Sequence, residues 1–221
     1  FVVDGPAVVA GYPWFGEWSR DALTAYEGLL LETGREDEGR ALLLRAAGTL
    51  SQGMLANTTD SGAPEYNTAD GTLWLAHAAG RHVERTGDHD LAAALAPALE
   101  DVLCAHVAGT RYGIRVDPAD GLVTQGAPGM ALTWMDARVD GVPVTRRAGK
   151  PVEVNGLWVR ACEVAGAFAR TAGRDPTLAD DLAARARASF ARRFAGPGPV
   201  PDVVDGPGDD DRSFRPNALV A

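Results

Sequence analysis

The chain has 221 residues, 46% of them apolar, and a mean hydropathy of −0.10, a composition typical of a globular domain. Its formal net charge of −9 argues against a nucleic-acid partner, because phosphate binding needs a basic face. No apolar run approaches the ~20 residues of a membrane span. The first residues lack both an initiator Met and the basic region of a signal peptide, so we expect the chain to be part of a longer protein.

Helical periodicity dominates the sequence, and frequent alanine supports it. The pattern predicts six helices, near 20–33, 36–55, 69–86, 90–108, 154–172 and 176–194. A stripe of Leu43, Ala47, Leu50 and Met54 extends the second helix to 55. Pro97 is expected to break or kink the fourth helix.

Three helices end in similar turns, at Gly34, Gly87 and Gly173. Glycine closes a helix in the left-handed conformation, and the acidic residue that soon follows can cap the next helix. Each turn therefore predicts a helical hairpin.

A long insertion, near 109–150, separates the second hairpin from the third. Short β-prone runs around Asp117-Pro118 and Asp120-Gly121 predict a small β-hairpin inside it. Segment 195–211, rich in Gly, Pro and Asp, is predicted to be a loop, and its Asp209-Asp210-Asp211 run is interpreted as solvated rather than as a metal or diphosphate site.

The cysteines and histidines predict no metal site. Cys104 and Cys162 both lie in apolar helical patterns, which favours two buried thiols in a reducing, cytoplasmic compartment. The four histidines show no metal-ligand spacing with cysteine or carboxylates.

Polar and aromatic residues cluster just before the first helix of each hairpin. The clusters contain Trp14, Trp18, Arg20 and Asp21, then Tyr66, Asn67 and Asp70, then Glu153 and Asn155. If the hairpins pack side by side, these helix starts converge into one pocket. Arginine and aspartate can bind adjacent sugar hydroxyls while tryptophan covers the C–H face of the ring, which favours a neutral sugar. Ordinary helix capping and surface ion pairing remain the alternative.

Trp134-Met135-Asp136 lies near the end of the insertion. A carboxyl group beside tryptophan in an apolar stretch could be desolvated, as a general acid working near neutral pH requires. A turn or capping aspartate is the alternative.

Together these motifs resemble the amylo-α-1,6-glucosidase domain of glycogen debranching enzymes. The matching segments keep the family's order over nearly the whole chain: Ala10-Gly11-Tyr12-Pro13-Trp14-Phe15, Trp18-Ser19-Arg20-Asp21, Tyr66-Asn67 with Asp70 and Leu73-Trp74, Thr133-Trp134-Met135-Asp136-Ala137, Gly149-Lys150-Pro151-Val152-Glu153-Val154-Asn155-Gly156-Leu157-Trp158, and Arg215-Pro216-Asn217. Ser19 stands where the family usually has glycine.

The resemblance implies an all-α fold in which residues 1–221 form about half of an (α/α)6 toroid, the N-terminal portion of one catalytic domain. It implies hydrolysis of α-1,6-linked glucose at branch points of glycogen or limit dextrin, without cofactor or metal. Asp136 would be the general acid of an inverting reaction, and Trp18, Arg20 and Asp21 would hold the terminal glucose. Tyr66, Asn67, Asp70, Trp134, Glu153 and Asn155 would complete the site with Trp14.

The family's general base has no matching segment in this chain, so the remainder of the catalytic domain is an expected partner. Glu153 is expected to bind a hydroxyl or to act on Asp136 by like-charge repulsion. Two alternatives stay open: a glucoamylase-like or trehalase-like α-glucosidase of the same fold, and a non-catalytic glucan-binding fragment.

Overall fold

A computed structural model describes residues 2–3, 5, 7–58 and 60–221. About half of the chain is helical, which confirms the predicted helix-rich fold. The helices are α1 (Ser19–Thr24), α2 (Glu36–Ala47), α3 (Gly71–Thr86), α4 (His89–Ala108), α5 (Val152–Thr171) and α6 (Thr177–Phe194). A π-helical segment, Glu27–Leu31, follows α1, and 3-10 turns cover Arg111–Gly113 and Pro216–Leu219.

Helix α5 lies at the centre of the core and packs against α3, α4 and α6. Its apolar residues recur every three or four positions, so one broad face is buried against these neighbours. Trp158 on that face is fully buried. Its indole nitrogen donates to the Gly121 carbonyl at 3.1 Å, and its ring stacks on His106, with the centroids 5.3 Å apart. These contacts attach the insertion and α4 to the central helix.

The predicted helical hairpins are present. Gly34, Gly87 and Gly173 have φ values of 70°, 72° and 66°, a left-handed conformation that glycine adopts without a Cβ clash. After Gly87, the side chain of Asp88 accepts from the Leu91 amide at 2.8 Å and caps α4. Helices α3 and α4 therefore run as a hairpin, and α5 and α6 form another.

Helix α4 differs from its sequence prediction in two ways. It continues through Pro97, which lies on the exposed side, so of the predicted break or kink the break is wrong. Second, the sequence predicted no run approaching a membrane span, yet an 18-residue window of α4 has a mean hydropathy of 1.5. By length and composition alone, α4 could therefore cross a membrane. In this fold Leu91, Leu95, Leu99 and Leu103 are buried in the protein core.

Three further predictions are corrected. The helix predicted at 20–33 is divided into α1 and the π-helical segment, and the helix predicted at 36–55 ends at Ala47. Of the two cysteines predicted to be buried, Cys162 is buried but Cys104 is exposed, because it lies on the outer side of α4.

Short antiparallel strands surround the helices. The first three, β1 (Val2–Val3), β2 (Ala7–Gly11) and β3 (Phe15–Glu17), form one sheet in that order. The predicted hairpin in the insertion is confirmed as β4 (Arg115–Val116) and β5 (Val123–Thr124). A second hairpin, β6 (Arg138–Val139) with β7 (Val142–Pro143), was not predicted. Segment 195–211 is not entirely loop, because β9 (Val203–Val204) pairs with β8 (Lys150–Pro151) and is buried.

Candidate functional site

A cavity of about 620 Å³ opens where the starts of α1, α3 and α5 meet the insertion. Seven residues predicted from the sequence line it: Trp18, Arg20, Asp21, Asp70, Trp134, Asp136 and Glu153. Ala10, Phe15, Thr24, Trp74 and Val220 complete the wall. As predicted, Arg20 and Asp21 therefore share a cavity with Trp134 and Asp136, although more than 100 residues separate the two pairs.

Arg20 is the buried centre of this cavity. Its Nε donates to both carboxylate oxygens of Asp70, at 3.0 and 2.9 Å, and its Nη2 donates to Asp70 and to the Thr68 hydroxyl, both at 2.8 Å. Burial lowers the pKa of the guanidinium, but attraction to Asp70, helped by Asp136 and Asp21, outweighs burial, and the pKa is raised. Arg20 is therefore a fixed positive charge.

Asp70 and Thr68 hold Arg20 in one orientation. Asp70 immediately precedes α3 and is almost fully buried, and the Thr68 hydroxyl donates to Asp70 Oδ1 at 2.6 Å. Thr68 also accepts from the Gly71 amide at 3.1 Å, which ties the group to the start of the helix. The Asp70 carboxylate is thus occupied by Arg20 and Thr68 and has a structural role in this cavity.

Asp136 differs from Asp70 in its exposure. Its side chain is 51% exposed, and Oδ2 lies 3.6 Å from Nη1 of Arg20. Asp136 is therefore only half removed from water, because the residue lies at the open side of the cavity. Its carboxylate is accessible to a ligand.

Glu153 lies in the first turn of α5 and is buried against Arg147. Arg147 donates Nη1 to Oε1 and Nη2 to Oε2 of Glu153, the second at 2.6 Å. The other side of the same guanidinium binds Asp202, through Nε at 2.8 Å and Nη2 at 2.9 Å. Burial lowers the pKa of Arg147, but its bonds and attraction to Glu153 and Asp202 outweigh burial and raise it. Arg147 therefore pairs with Glu153 at the cavity wall, and the like-charge action of Glu153 on Asp136 stays a prediction.

Four predicted residues lie outside the cavity. Trp14 is 83% exposed on the β2–β3 connection, beyond the cavity wall. Tyr66 donates its hydroxyl to the Thr49 carbonyl at 3.0 Å, and Asn67 is hydrogen-bonded to Asn57 and Glu65. Asn155 is fully buried. The structure does not bring these four side chains to the other predicted site residues.

The polar groups of Asn155 are all occupied by backbone. Its Oδ1 accepts from the Val123 amide at 2.7 Å, and its Nδ2 donates to the carbonyls of Val123 and Pro151 at 3.1 and 2.9 Å. Asn155 therefore fastens the insertion to α5, a role that the substrate-binding prediction missed.

Sequence reasoning also missed Arg147, Asp202 and the cavity-lining Phe15. Phe15 belongs to a matched family segment, so a signal for it was present. Arg147 and Asp202 are 55 residues apart and form a pair only through the β8–β9 contact. Local patterns contain no signal for that pairing.

Two aspartates of the Asp209–Asp211 run form ion pairs, Asp210 with Arg193 and Asp211 with Arg215. Asp211 is bound by Arg215 at 2.7 Å, and hydrogen bonds from Ser213 together with Arg215 lower the pKa of Asp211 to about 2. Within the described residues, no group of three or more His, Cys, Asp and Glu side chains is arranged to hold a metal ion.

The fold and cavity define a protein of helical hairpins with a polar pocket walled by tryptophans. The chain belongs to the amylo-alpha-1,6-glucosidase family, whose model matches residues 2–221. The family resemblance predicted from the sequence is thereby confirmed.

The chain is also similar to two individual proteins. The glycogen debranching enzyme of Saccharomyces cerevisiae is 26% identical over 212 residues, an alignment that covers 69% of this chain and 14% of that protein. The crystal structure of a GH78-family rhamnosidase of Bacillus sp. GL1 superposes with a TM-score of 0.58 at 18% identity, over 89% of this chain and 20% of that one. The second likeness concerns the fold alone. The chain thus spans about a seventh of the curated relative it matches.

Proposed function

We propose that this chain forms the sugar-binding and general-acid part of a glycoside hydrolase that removes α-1,6-linked glucose at branch points of glycogen or limit dextrin. The observation that carries the proposal is the cavity in which three tryptophans surround Arg20, Asp21 and Asp136. The family membership and the similarity to a glycogen debranching enzyme support the substrate class.

The cavity suits one uncharged sugar residue. Its volume of about 620 Å³ lies within the ~300–1,000 Å³ typical of small-molecule sites. The tryptophan faces offer apolar contact for the C–H side of a pyranose ring. Nη1 of Arg20 has no bond to Asp70 or Thr68 and can donate to a hydroxyl, and Asp21, exposed in the first turn of α1, can accept from one.

Asp136 is the proposed general acid because the other acidic residues of the wall are less suited. Asp70 is occupied by Arg20 and Thr68, and Glu153 by Arg147. Asp21, exposed in the first turn of α1, is assigned instead to binding a sugar hydroxyl. Only Asp136 among the described lining carboxylates lies outside a helix start and has an accessible carboxyl group. Binding of a sugar hydroxyl to Arg20 would open the 3.6 Å Arg20–Asp136 contact and free that carboxyl group.

We further propose an inverting mechanism whose general base lies in a part of the protein outside these residues, with residues 1–221 forming about half of an (α/α)6 toroid. The helical hairpins α3–α4 and α5–α6, packed side by side, support this architecture. In an inverting pair the two carboxyl groups stand ~6.5–9.5 Å apart, which leaves room for one water molecule. Glu153 is a poor base because Arg147 binds both of its oxygens.

The test is product analysis with the intact protein on a singly branched limit dextrin and, in parallel, on linear malto-oligosaccharides. We expect glucose from the branched substrate only, and NMR of the first product should show β-glucose. Glucose released from linear chains would instead favour the glucoamylase-like alternative, and binding without release would favour the glucan-binding alternative. α-Glucose as the first product would overturn the inverting mechanism.

A further inference from the structure

We infer that Asn217 is a positioning residue that holds the indole of Trp134 in the cavity wall. The expected effect on KM rests on the proposed function. The geometric part of the inference stands on contacts within the chain.

Trp134 has little local structure to hold it. It lies outside the helices and strands, and nearly half of its surface is exposed. A neighbouring backbone bond, from the Ala69 amide to the Leu132 carbonyl at 2.7 Å, places the segment but leaves the indole free to rotate. The indole nitrogen donates to Oδ1 of Asn217 at 2.8 Å, a contact between residues 83 apart in sequence. Since an indole has a single N–H donor, this bond selects one ring orientation.

Asn217 can orient the ring because its own amide is held. Asn217 is buried in the 3-10 turn Pro216–Leu219, and its Nδ2 donates to Oδ1 of Asp202 and lies 3.7 Å from the sulfur of Met135. A carboxylate can only accept hydrogen bonds, so the NH2 group must face Asp202 and the carbonyl must face Trp134. A flipped amide would place the Asn217 NH2 group against the indole N–H of Trp134, and the Asn217 carbonyl against the carboxylate of Asp202.

Asp202 is fixed in turn by two arginines. Arg147 donates Nε to Oδ2 and Nη2 to Oδ1 of Asp202, and Arg215 donates Nη1 to the same Oδ2. Because Arg147 also binds Glu153, the two cavity-wall residues Trp134 and Glu153 are joined through Asn217, Asp202 and Arg147. Hydrogen-bonded networks with a buried centre of this kind rigidify the side chains that they connect. The network therefore pre-organises the wall against which the sugar would lie.

The experiment uses the intact protein and two substitutions, Asn217→Leu and Trp134→Phe. Each removes one partner of the bond, and Trp134→Phe keeps an aromatic face at a half-exposed position, where misfolding is not expected. We expect each variant to raise the dissociation constant for glucose, measured by calorimetry, and KM for a limit dextrin about 3- to 10-fold, with kcat nearly unchanged. The double variant should show about the effect of one single change, because both act on the same bond.

Two results separate positioning from a merely structural role. In protein labelled with 5-fluorotryptophan, the 19F resonance of Trp134 is the one that is missing in the Trp134→Phe variant. Asn217→Leu should shift this resonance, while the signals of the other four tryptophans of this chain stay in place. A lower Vmax with unchanged KM, an unmoved Trp134 resonance or additive effects in the double variant would overturn the inference. Absence of glucose release by the unmodified protein would refute the proposed function, while the 19F result would still decide the positioning role.

Discussion

The two aspartates that contact Arg20 allow a direct test of the site. Asp136 and Asp70 lie in the same cavity, and each can be changed to asparagine with almost no change in volume. We expect the two substitutions to act on different properties, since Asp136 is half exposed and Asp70 is buried. Asp136→Asn should remove catalysis and leave stability almost unchanged, and Asp70→Asn should mainly remove stability.

The magnitudes follow from the contacts. Asp136→Asn breaks one 3.6 Å contact between the half-exposed Asp136 and the buried Arg20, and ion pairs at exposed carboxylates contribute about 1 kcal/mol or less to the free energy of unfolding. Asp70→Asn breaks a bidentate pair whose side chains are 10% and 1% exposed, and loss of one partner from a buried pair lowers the free energy of unfolding by about 3–5 kcal/mol. General acid catalysis contributes about 10²- to 10⁴-fold to rate, so Asp136→Asn should lower kcat by that factor.

The assay measures kcat on a singly branched limit dextrin, glucose affinity and the thermal unfolding midpoint for the two variants and the unmodified protein. Asp70→Asn serves as the matched control, because it makes the same chemical change at the other aspartate that contacts the Arg20 guanidinium. Near-normal turnover by Asp136→Asn would falsify its assignment as general acid. A fall in stability as large as that of Asp70→Asn would refute the inference that the Asp136 carboxylate is available to a ligand.

Three further predictions concern stability. Lys150→Met should lower the free energy of unfolding, measured by urea titration, by about 1–3 kcal/mol. The buried ammonium binds three aspartates, and these are 17–40% exposed, so they can partly regain water when the ammonium is lost. An unchanged free energy of unfolding would show that the cluster is energetically neutral. Asn155→Ala should lower it by about 2–4 kcal/mol through three lost backbone bonds, with glucose affinity of the folded protein unchanged; a selective loss of affinity would restore a binding role for Asn155. Burial lowers the folded-state pKa of three histidines, which are His77, His82 and His106. Below about pH 6.5 the unfolded chain therefore binds more protons than the folded protein. The urea concentration at the unfolding midpoint should decrease when the pH is lowered from about 7.5 to about 5.5, and a midpoint independent of pH would contradict this.

Helix positions could largely be predicted from sequence because they depend on local periodicity. The predicted bounds of α3 to α6 agree with the structure to within about two residues. The second helix was predicted too long because Leu50 and Met54 continue the apolar spacing of Leu43 and Ala47. Gly48 ends the helix, and Met54 is buried from a turn instead. Apolar spacing records which residues are buried and not which backbone conformation buries them.

The hairpin β6–β7 shows a local signal that was present but not used. Asp140 and Gly141 have φ values of 51° and 75°, the left-handed pair that a two-residue hairpin turn requires, and Asp-Gly is the sequence that favours it. The Arg147–Asp202 pair had no such signal. Its partners meet because β9 returns to β8 after the whole of α5 and α6, and long-range pairings of this kind leave no trace in local composition.

The charge of the cavity wall restricts the ligand further than its shape does. The described lining residues include four carboxylates, Asp21, Asp70, Asp136 and Glu153, and one guanidinium, that of Arg20. Arg147 lies behind the wall and offsets Glu153, and Arg20 offsets Asp70. The accessible lining side chains that remain, Asp21 and Asp136, are both acidic. A phosphorylated or carboxylated sugar would meet repulsion there, because like charges in a partly desolvated site are unfavourable. A neutral sugar meets no such repulsion, so the acidic wall favours an unmodified glucosyl residue over an anionic one.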